Sequence, residues 1–316
     1  MSTSAERGTL LVAPHQFPHL EREQKLADKF GLKLVVAADQ KAFTDGMANA
    51  EVVMVTPYGK VNEAEFASMT RCRAVVRYGM GYDNIDVKAA AKVNVPVSIV
   101  PDASSEEVAA HALAMGIALV RRLPQGQTSI EKGGWAGTIA YDTPKLANLK
   151  VGIVGMGRIG RLTAGWWAAL GTEVKAYDPF AKFTDVQQAS LTEILEGADV
   201  VSLHLPLNAD TRNMISTEAL KRMRPGAVIV NVSRGGLIDE PALAEALHSG
   251  QIAGAALDVF AKEPLPADNP LRGAPNLILT PHIAWRSNTS LGALQDGAVE
   301  RALKVLSGEE LPDVVS

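Results

Sequence analysis

The sequence predicts an α/β protein with two doubly wound, parallel-sheet domains. Short runs rich in Val, Ile and Leu alternate with longer Ala-rich segments of helical period, as in a parallel sheet covered by helices. The pattern occurs twice along the chain. A length of 316 residues, 47% hydrophobic and 21% charged, also exceeds the size at which one core usually keeps growing.

The first set of strands reads Leu10 to Ala13, Leu32 to Ala37, Val52 to Thr56, Ala74 to Arg77 and Val97 to Val100, with helical segments between them. Next comes Ser104 to Arg122, with Asp102 and Ser104 as candidate caps and Glu106 and Glu107 in the first turn, which predicts one long helix. Its Ala, Leu and Met residues run nearly all round, so it is expected to be buried on several sides. From Pro124 to Asn148 the pattern fades around Gly133-Gly134-Trp135, and an extended loop with a short helix is expected. The second set begins at Val151 to Gly155. It continues through Val174 to Tyr177, Val200 to Leu205, Val228 to Val232, Ala255 to Val259 and Leu277 to Leu279, six strands in all. A final helical stretch, Ser287 to Leu306, is expected to return to the first domain. The boundaries that follow are residues 1–103 with 285–316 for one domain and 104–284 for the other.

Gly155-Met156-Gly157-Arg158-Ile159-Gly160 directly follows a strand and opens a helical segment. In that context Gly155 makes the tight turn, Gly157 lets the backbone approach a pyrophosphate, and Gly160 allows helix and strand to pack closely. The next strand ends at Asp178, where a carboxylate can accept both ribose hydroxyls of NAD and would repel a 2′-phosphate. Pro179 and Phe180 follow it, with no arginine placed for that phosphate, so NAD is expected over NADP.

Ligands of open parallel sheets bind beyond the carboxyl ends of the strands. Polar residues cluster at those ends in His204-Leu205-Pro206, Ser233-Arg234-Gly235-Gly236, Asp258 with Glu263-Pro264, and Thr280-Pro281-His282. An arginine, a carboxylate and a histidine beside a nicotinamide site are what interconversion of a 2-hydroxy acid and a 2-keto acid requires. Arg234 would hold the substrate carboxylate and polarise the C2–O bond, and His282 would take or give the hydroxyl proton. Glu263, bonded to the histidine, would fix its tautomer and favour its protonated form. No metal is needed for such a step. His15, His19 and His248 read as solvated, His111 as a packing residue, and His204 as a shaper of the cofactor pocket. Trp285, directly after the histidine loop, reads either as a pocket wall or as a packing aromatic.

Other function classes find little support. With 31 basic against 35 acidic side chains the net charge is −4, which gives no electrostatic reason to bind nucleic acid or an anionic membrane. The single cysteine, Cys72, forms no internal disulfide and no thiolate cluster, and the polar start before Thr9 has no secretory pattern, so a cytoplasmic location is expected. No apolar stretch reaches about 18 residues, so no membrane span is expected.

These residues resemble the D-isomer-specific 2-hydroxyacid dehydrogenases over almost the whole chain. The motifs that carry the likeness are Arg77-Tyr78-Gly79-Met80-Gly81-Tyr82-Asp83-Asn84-Ile85-Asp86, Gly155 to Gly160, Asn231 to Gly236, Ala256 to Phe260 with Glu263-Pro264, and Thr280 to Ala284. The resemblance implies a Rossmann NAD-binding domain inserted in a flavodoxin-like substrate domain. It implies Arg234, Glu263 and His282 as the catalytic set, and Met80 and Gly81 as backbone donors to the substrate carboxylate. Cofactor contacts fall on Arg158, Ile159, Asp178, Leu205, Pro206, Val232, Ser233 and Asp258 besides the glycines, with Arg234 and His282 bordering the nicotinamide. Such proteins are usually homodimers built around the long helix and the loop after it. Ala256 to Pro264 and the ending Leu311 to Val315 resemble 3-phosphoglycerate dehydrogenases without their added regulatory domains. Ala284-Trp285 with Ser287 resembles the C-terminal binding proteins, NAD-dependent scaffolds, although Arg286 replaces the aromatic common there. Formate-acting relatives carry glutamine in place of Glu263, which disfavours formate.

Overall fold

The computed structural model describes residues 8–139 and 143–315. The polar start before Gly8 and residues 140–142 of the expected loop lie outside the described residues. Two compact units are present, Met1–Ser104 with Ser287–Ser316, and Ser105–Arg286.

The first unit runs β1 (Thr9–Val12), α1 (Glu21–Lys29), β2 (Lys33–Val36), α2 (Gln40–Gly46), β3 (Ala50–Val55), α3 (Glu63–Ser68), β4 (Ala74–Arg77), α4 (Val87–Lys92) and β5 (Val97–Ile99). The second continues with α5 (Ser105–Val120), α6 (Leu123–Glu131), β6 (Lys150–Val154), α7 (Arg158–Ala169), β7 (Glu173–Tyr177), β8 (Gln187–Gln188) and α8 (Leu191–Gly197). It ends with β9 (Val200–Leu203), α9 (Thr217–Arg222), β10 (Val228–Asn231), α10 (Glu240–His248), β11 (Gly254–Leu257) and β12 (Leu277–Leu279). Helix α11 (Ser290–Ser307) and strand β13 (Val314–Val315) complete the first unit.

The first sheet has the order β13-β5-β4-β3-β1-β2, parallel except for β13, which pairs antiparallel with β5. Its strand order reverses at β1 and β3, the doubly wound arrangement of flavodoxin-like domains. Asp39 and Asp86 start α2 and α4 by accepting the N–H groups of Ala42 and Ala89, caps worth about 1 kcal/mol each. On the other face α11 packs against β4 and α1, where Gln295 donates to the carbonyl of His19 and to the buried carboxylate of Glu23.

The second sheet has the order β12-β11-β10-β9-β6-β7-β8, all parallel, with the reversal at β6. Alternate residues feed opposite faces, as a two-residue period demands. Val228 and Val230 join the core under α5 and α7, while Ile229 joins the core under α8, α9 and α10. Helix α5 comes close because Gly116 faces Trp167 of α7, and a Cβ at residue 116 would lie 2.7 Å from the indole. This is a Rossmann sheet with one added edge strand.

Three expectations need correction. Strands β8 and β13 have two residues each and so carry no readable period. The long helix stops at Val120 instead of Arg122, which takes a left-handed φ of 55°. After it stands the nine-residue helix α6, the short helix expected in this stretch, with Pro124 in its first turn, where a missing N–H costs nothing. His15 is half-buried, not solvated. Its Nδ1 accepts the N–H of Phe17 at 2.9 Å, its ring stacks on Phe17, and burial pushes its pKa down. Among the described residues no helix is long and apolar enough to cross a membrane.

Candidate active site

The cofactor residues lie where β6 meets α7. Gly155 has a φ of 105°, and a Cβ there would stand 2.6 Å from the backbone of His204, so only glycine fits. A Cβ on Gly160 would fall on the carbonyl oxygen of Gly155, which is the close helix-to-strand approach expected of the third glycine. Gly157 faces open space and caps α7 without a side-chain partner. The first N–H groups of this twelve-residue helix, on Arg158, Ile159 and Gly160, therefore point outward at its positive end. That cradle is suited to a dinucleotide pyrophosphate.

Asp178, after β7, ties the second strand to the turn. Its Oδ2 accepts the N–H of Met156 at 2.7 Å, and its Oδ1 accepts those of Phe180 and Ala181 at 2.7 and 3.0 Å. Beside the turn, His204 accepts or donates to Ser202 Oγ at 2.9 Å, and desolvation pushes its pKa down to about 3. The ring is therefore neutral near neutral pH. Ser233 Oγ donates to the carbonyl of Leu205 at 2.6 Å, which fixes Leu205-Pro206 against Val232-Ser233.

The proposed catalytic residues come from three neighbouring strand ends. Buried Asn231 organises the first: its Oδ1 accepts the N–H of Ser233 and its Nδ2 donates to the carbonyl of Arg234 at 2.9 Å. The Arg234 guanidinium donates to the carbonyl of Ser233 at 2.7 Å. Gly235 lies so close to the backbone of Phe260 that a Cβ would collide with it, which brings the Arg234 loop beside the Glu263 loop.

Glu263 Oε1 accepts the N–H of Phe260 at 3.0 Å, and Oε2 lies 2.7 Å from His282 Nδ1. Burial works to raise the Glu263 carboxyl. The hydrogen bond and charge of His282, the Phe260 N–H and the charge of Arg234 together outweigh it and hold the carboxyl below its ordinary range. An ionised carboxylate only accepts, so Nδ1 carries the hydrogen and Nε2 is left to exchange a proton. His282 has a φ of 55°, an uncommon conformation for a residue with a side chain. Its N–H donates to the carbonyl of Asp258 at 2.8 Å, and the indole N–H of Trp285 donates to its carbonyl at 3.1 Å.

Several supporting roles were not assigned from sequence. Asp258, expected only as a cofactor contact, is wholly buried and holds the loop after β12 by accepting Thr280 Oγ1, Ile283 N–H and Ala284 N–H. Glu240 plays the same part for the Glu263 loop, accepting the Ala261 N–H and the Asn269 side-chain amide at 2.6 and 2.7 Å. His111 meets Thr280 at 3.1 Å. Spacing along the chain gives no signal for such partners.

In the first unit, Met80 and Gly81 follow β4 on a turn opened by Gly79, whose φ is 116°. Tyr78 anchors that turn by donating to buried Glu23 at 2.9 Å, and Asn84 donates to the carbonyl of Thr56 at 2.9 Å. Among the described residues, neither the Met80 nor the Gly81 N–H donates a hydrogen bond, so both can serve an anion.

Residues 113–284 match the family model described as D-isomer specific 2-hydroxyacid dehydrogenase, NAD binding domain. The chain belongs to the D-isomer-specific 2-hydroxyacid dehydrogenase family. Over 296 residues, 92% of this chain, it is 34% identical to D-3-phosphoglycerate dehydrogenase from Mycobacterium tuberculosis, of which it covers 56%. It thus spans about half the length of the curated relatives of that name. A glyoxylate reductase from Korarchaeum cryptofilum is 37% identical over 261 residues, 79% of this chain and 78% of the relative. Among solved structures, D-lactate dehydrogenase from Aquifex aeolicus, complexed with NAD and lactic acid, superposes with a TM-score of 0.88 at 28% identity, covering 95% of this chain and 96% of that one.

Proposed function

We propose that the chain is an NAD-dependent oxidoreductase that interconverts a small D-2-hydroxy acid and its 2-keto acid. The observation that carries this reading is the 2.7 Å contact between Glu263 and His282, set beside Arg234 at the same end of the sheet as the glycine cradle. When bound, the nicotinamide supplies or takes up the hydride. In reduction, Arg234 pairs with the substrate carboxylate and polarises the C2 carbonyl, and His282 Nε2 delivers a proton to the oxygen that becomes the hydroxyl. Glu263 stabilises the imidazolium before that transfer and holds the ring in place. In oxidation the neutral ring accepts the hydroxyl proton. On this reading residues 104–284 carry the dinucleotide, through Gly155, Gly157, Arg158, Ile159, Gly160, Asp178, Leu205, Pro206, Val232, Ser233 and the Asp258-held loop. Residues 1–103 and 285–316 form the substrate domain of this reading, with Met80 and Gly81 as its backbone donors.

Asp178 supports NAD over NADP, because a 2′-phosphate beside its carboxylate would meet a like charge. A homodimer is part of the same proposal. Helix α6 buries none of its residues within the chain, and Leu123, Ile130 and Trp135 are exposed there, the indole at 76%. Glyoxylate, hydroxypyruvate, pyruvate and phosphohydroxypyruvate are the keto acids to try. NADH oxidation with each, repeated with NADPH, and light scattering of the same sample test the proposal. Turnover of at least one acid with NADH by a dimer is expected. No oxidation with any of them would favour an NAD-dependent scaffold that keeps the fold.

A further inference from the structure

The turn that presents His282 is held from behind by a hydrogen-bonded series that starts on a different element. His111 lies in α5, and its Nε2 is 3.1 Å from Thr280 Oγ1. Thr280 Oγ1 is in turn 2.5 Å from Asp258 Oδ1. That same oxygen accepts the Ile283 N–H at 2.9 Å, Oδ2 accepts the Ala284 N–H at 2.8 Å, and the Asp258 carbonyl accepts the His282 N–H at 2.8 Å. The Thr280 hydroxyl and the N–H groups of His282, Ile283 and Ala284 thus converge on Asp258, which has no exposed surface.

The direction of the series follows from the donors available. Each oxygen of the Asp258 carboxylate accepts a backbone N–H, so toward Oδ1 the Thr280 hydroxyl is the donor. Thr280 has one hydroxyl hydrogen, and it is committed to Asp258. Its oxygen is then an acceptor toward α5, so His111 must carry its hydrogen on Nε2. His111 Nε2 is also 3.8 Å from Asp258 Oδ1, too far for a direct bond, so the hydroxyl is the necessary link.

We propose that His111 is a positioning residue for proton transfer. Through Thr280 and Asp258 it fixes the turn on which His282 stands, and thereby the distance from the His282 imidazole to the reacting oxygen. This inference rests on the reading of His282 as the acid–base group. The rotation of a hydroxyl that loses its donor neighbour frees Thr280 to turn away from Asp258. One support of a residue already held at an uncommon φ then goes.

The test compares His111→Leu and Thr280→Val, which break the series, with His111→Gln and Thr280→Ser, which keep a donor or a hydroxyl. The breaking variants should lose about ten- to a hundredfold in kcat, the cost of a small misplacement of a reacting group, with NADH affinity held within about twofold. The conserving variants should recover most of the loss, and the double variant His111→Leu/Thr280→Val should be no worse than the poorer single one. In the wild-type protein, nitrogen NMR of His111 should show Nε2 protonated. Wild-type kcat in both breaking variants, additive losses, or a bare Nε2 on His111 would each overturn the proposal. His282→Ala in the same assay separates the two levels: if it too keeps full kcat, the reading of His282 has failed, and the tautomer and coupling of His111 are judged on their own.

Discussion

The proposed dinucleotide cradle and the proposed proton-transfer pair sit at the same end of one sheet but are built from different materials. The cradle is backbone, contained in the six residues from Gly155 to Gly160, where close contacts require glycine at 155 and 160 and Gly157 faces open space. The pair is side chain. Glu263 and His282 stand nineteen residues apart on separate loops, and each loop leans on a buried carboxylate, Glu240 for one and Asp258 for the other. A site made of backbone tolerates almost no added atoms, while a site made of side chains depends on supports that have no position of their own in the chemistry. Binding and chemistry should therefore be separable by mutation.

The largest effect tests that separation directly. His282→Ala should reduce kcat by about 10² to 10⁴ and leave the NADH dissociation constant nearly unchanged, since the proton donor is lost and the cradle is intact. Gly160→Ala should do the reverse. Its new methyl meets the Gly155 carbonyl, so α7 must shift from β6, lowering stability by about 1–3 kcal/mol and weakening NADH binding. Activity at saturating NADH should survive in large part. Steady-state kinetics, fluorescence titration with NADH and thermal unfolding of both variants make the comparison; a His282→Ala protein that fails to bind NADH would dissolve the distinction.

A smaller effect sharpens the account of the cradle at its one side-chain member. If Asp178 meets the ribose diol, NAD should bind at least about tenfold more tightly than NADP, a difference of about 1.4 kcal/mol. Asp178→Asn removes the charge but keeps an acceptor for the Met156 N–H, so the preference should shrink chiefly through better NADP binding. Equal affinities in the wild type would show that the carboxylate serves only the turn, where it already accepts three N–H groups.

The same contrast explains what was legible in the sequence. The cradle could be read because Gly155, Gly157 and Gly160 are contiguous and follow a strand, so local pattern and tertiary role coincide. Arg234, Glu263 and His282 could be proposed because each ends or follows a hydrophobic run, and strand ends converge in a parallel sheet. Their supports could not. His111 looks like any polar residue of a helix, Glu240 like a first-turn acid after the cap Asp239, and Thr280 like a residue leaving a strand; only the packing of α5 and α10 on the sheet gives them partners. Helix α6 was expected only as a short helix without bounds, for the opposite reason. It buries nothing within the chain, so its sequence has no apolar stripe facing a core.

The smallest expected effect concerns how the pair divides its work. Glu263→Gln keeps the shape of the side chain and replaces a charged acceptor by a neutral amide. In the wild type the carboxyl is held below its ordinary range, so it is charged throughout an assay from about pH 5 to 9 and releases its hold on His282 only in stronger acid. The sign of the change follows. Glu263→Gln removes a negative charge 2.7 Å from Nδ1 and leaves a neutral partner that holds a charged ring less well. Reduction needs the charged ring, so the alkaline limb of kcat/KM for keto-acid reduction should move toward acid. The plateau below it should fall by no more than about tenfold, because the ring still donates when charged. NADH affinity should not change, since the cradle makes no use of Glu263. A profile that keeps its limb while the plateau collapses would assign Glu263 to holding the ring in place and leave its charge without a part in the reaction.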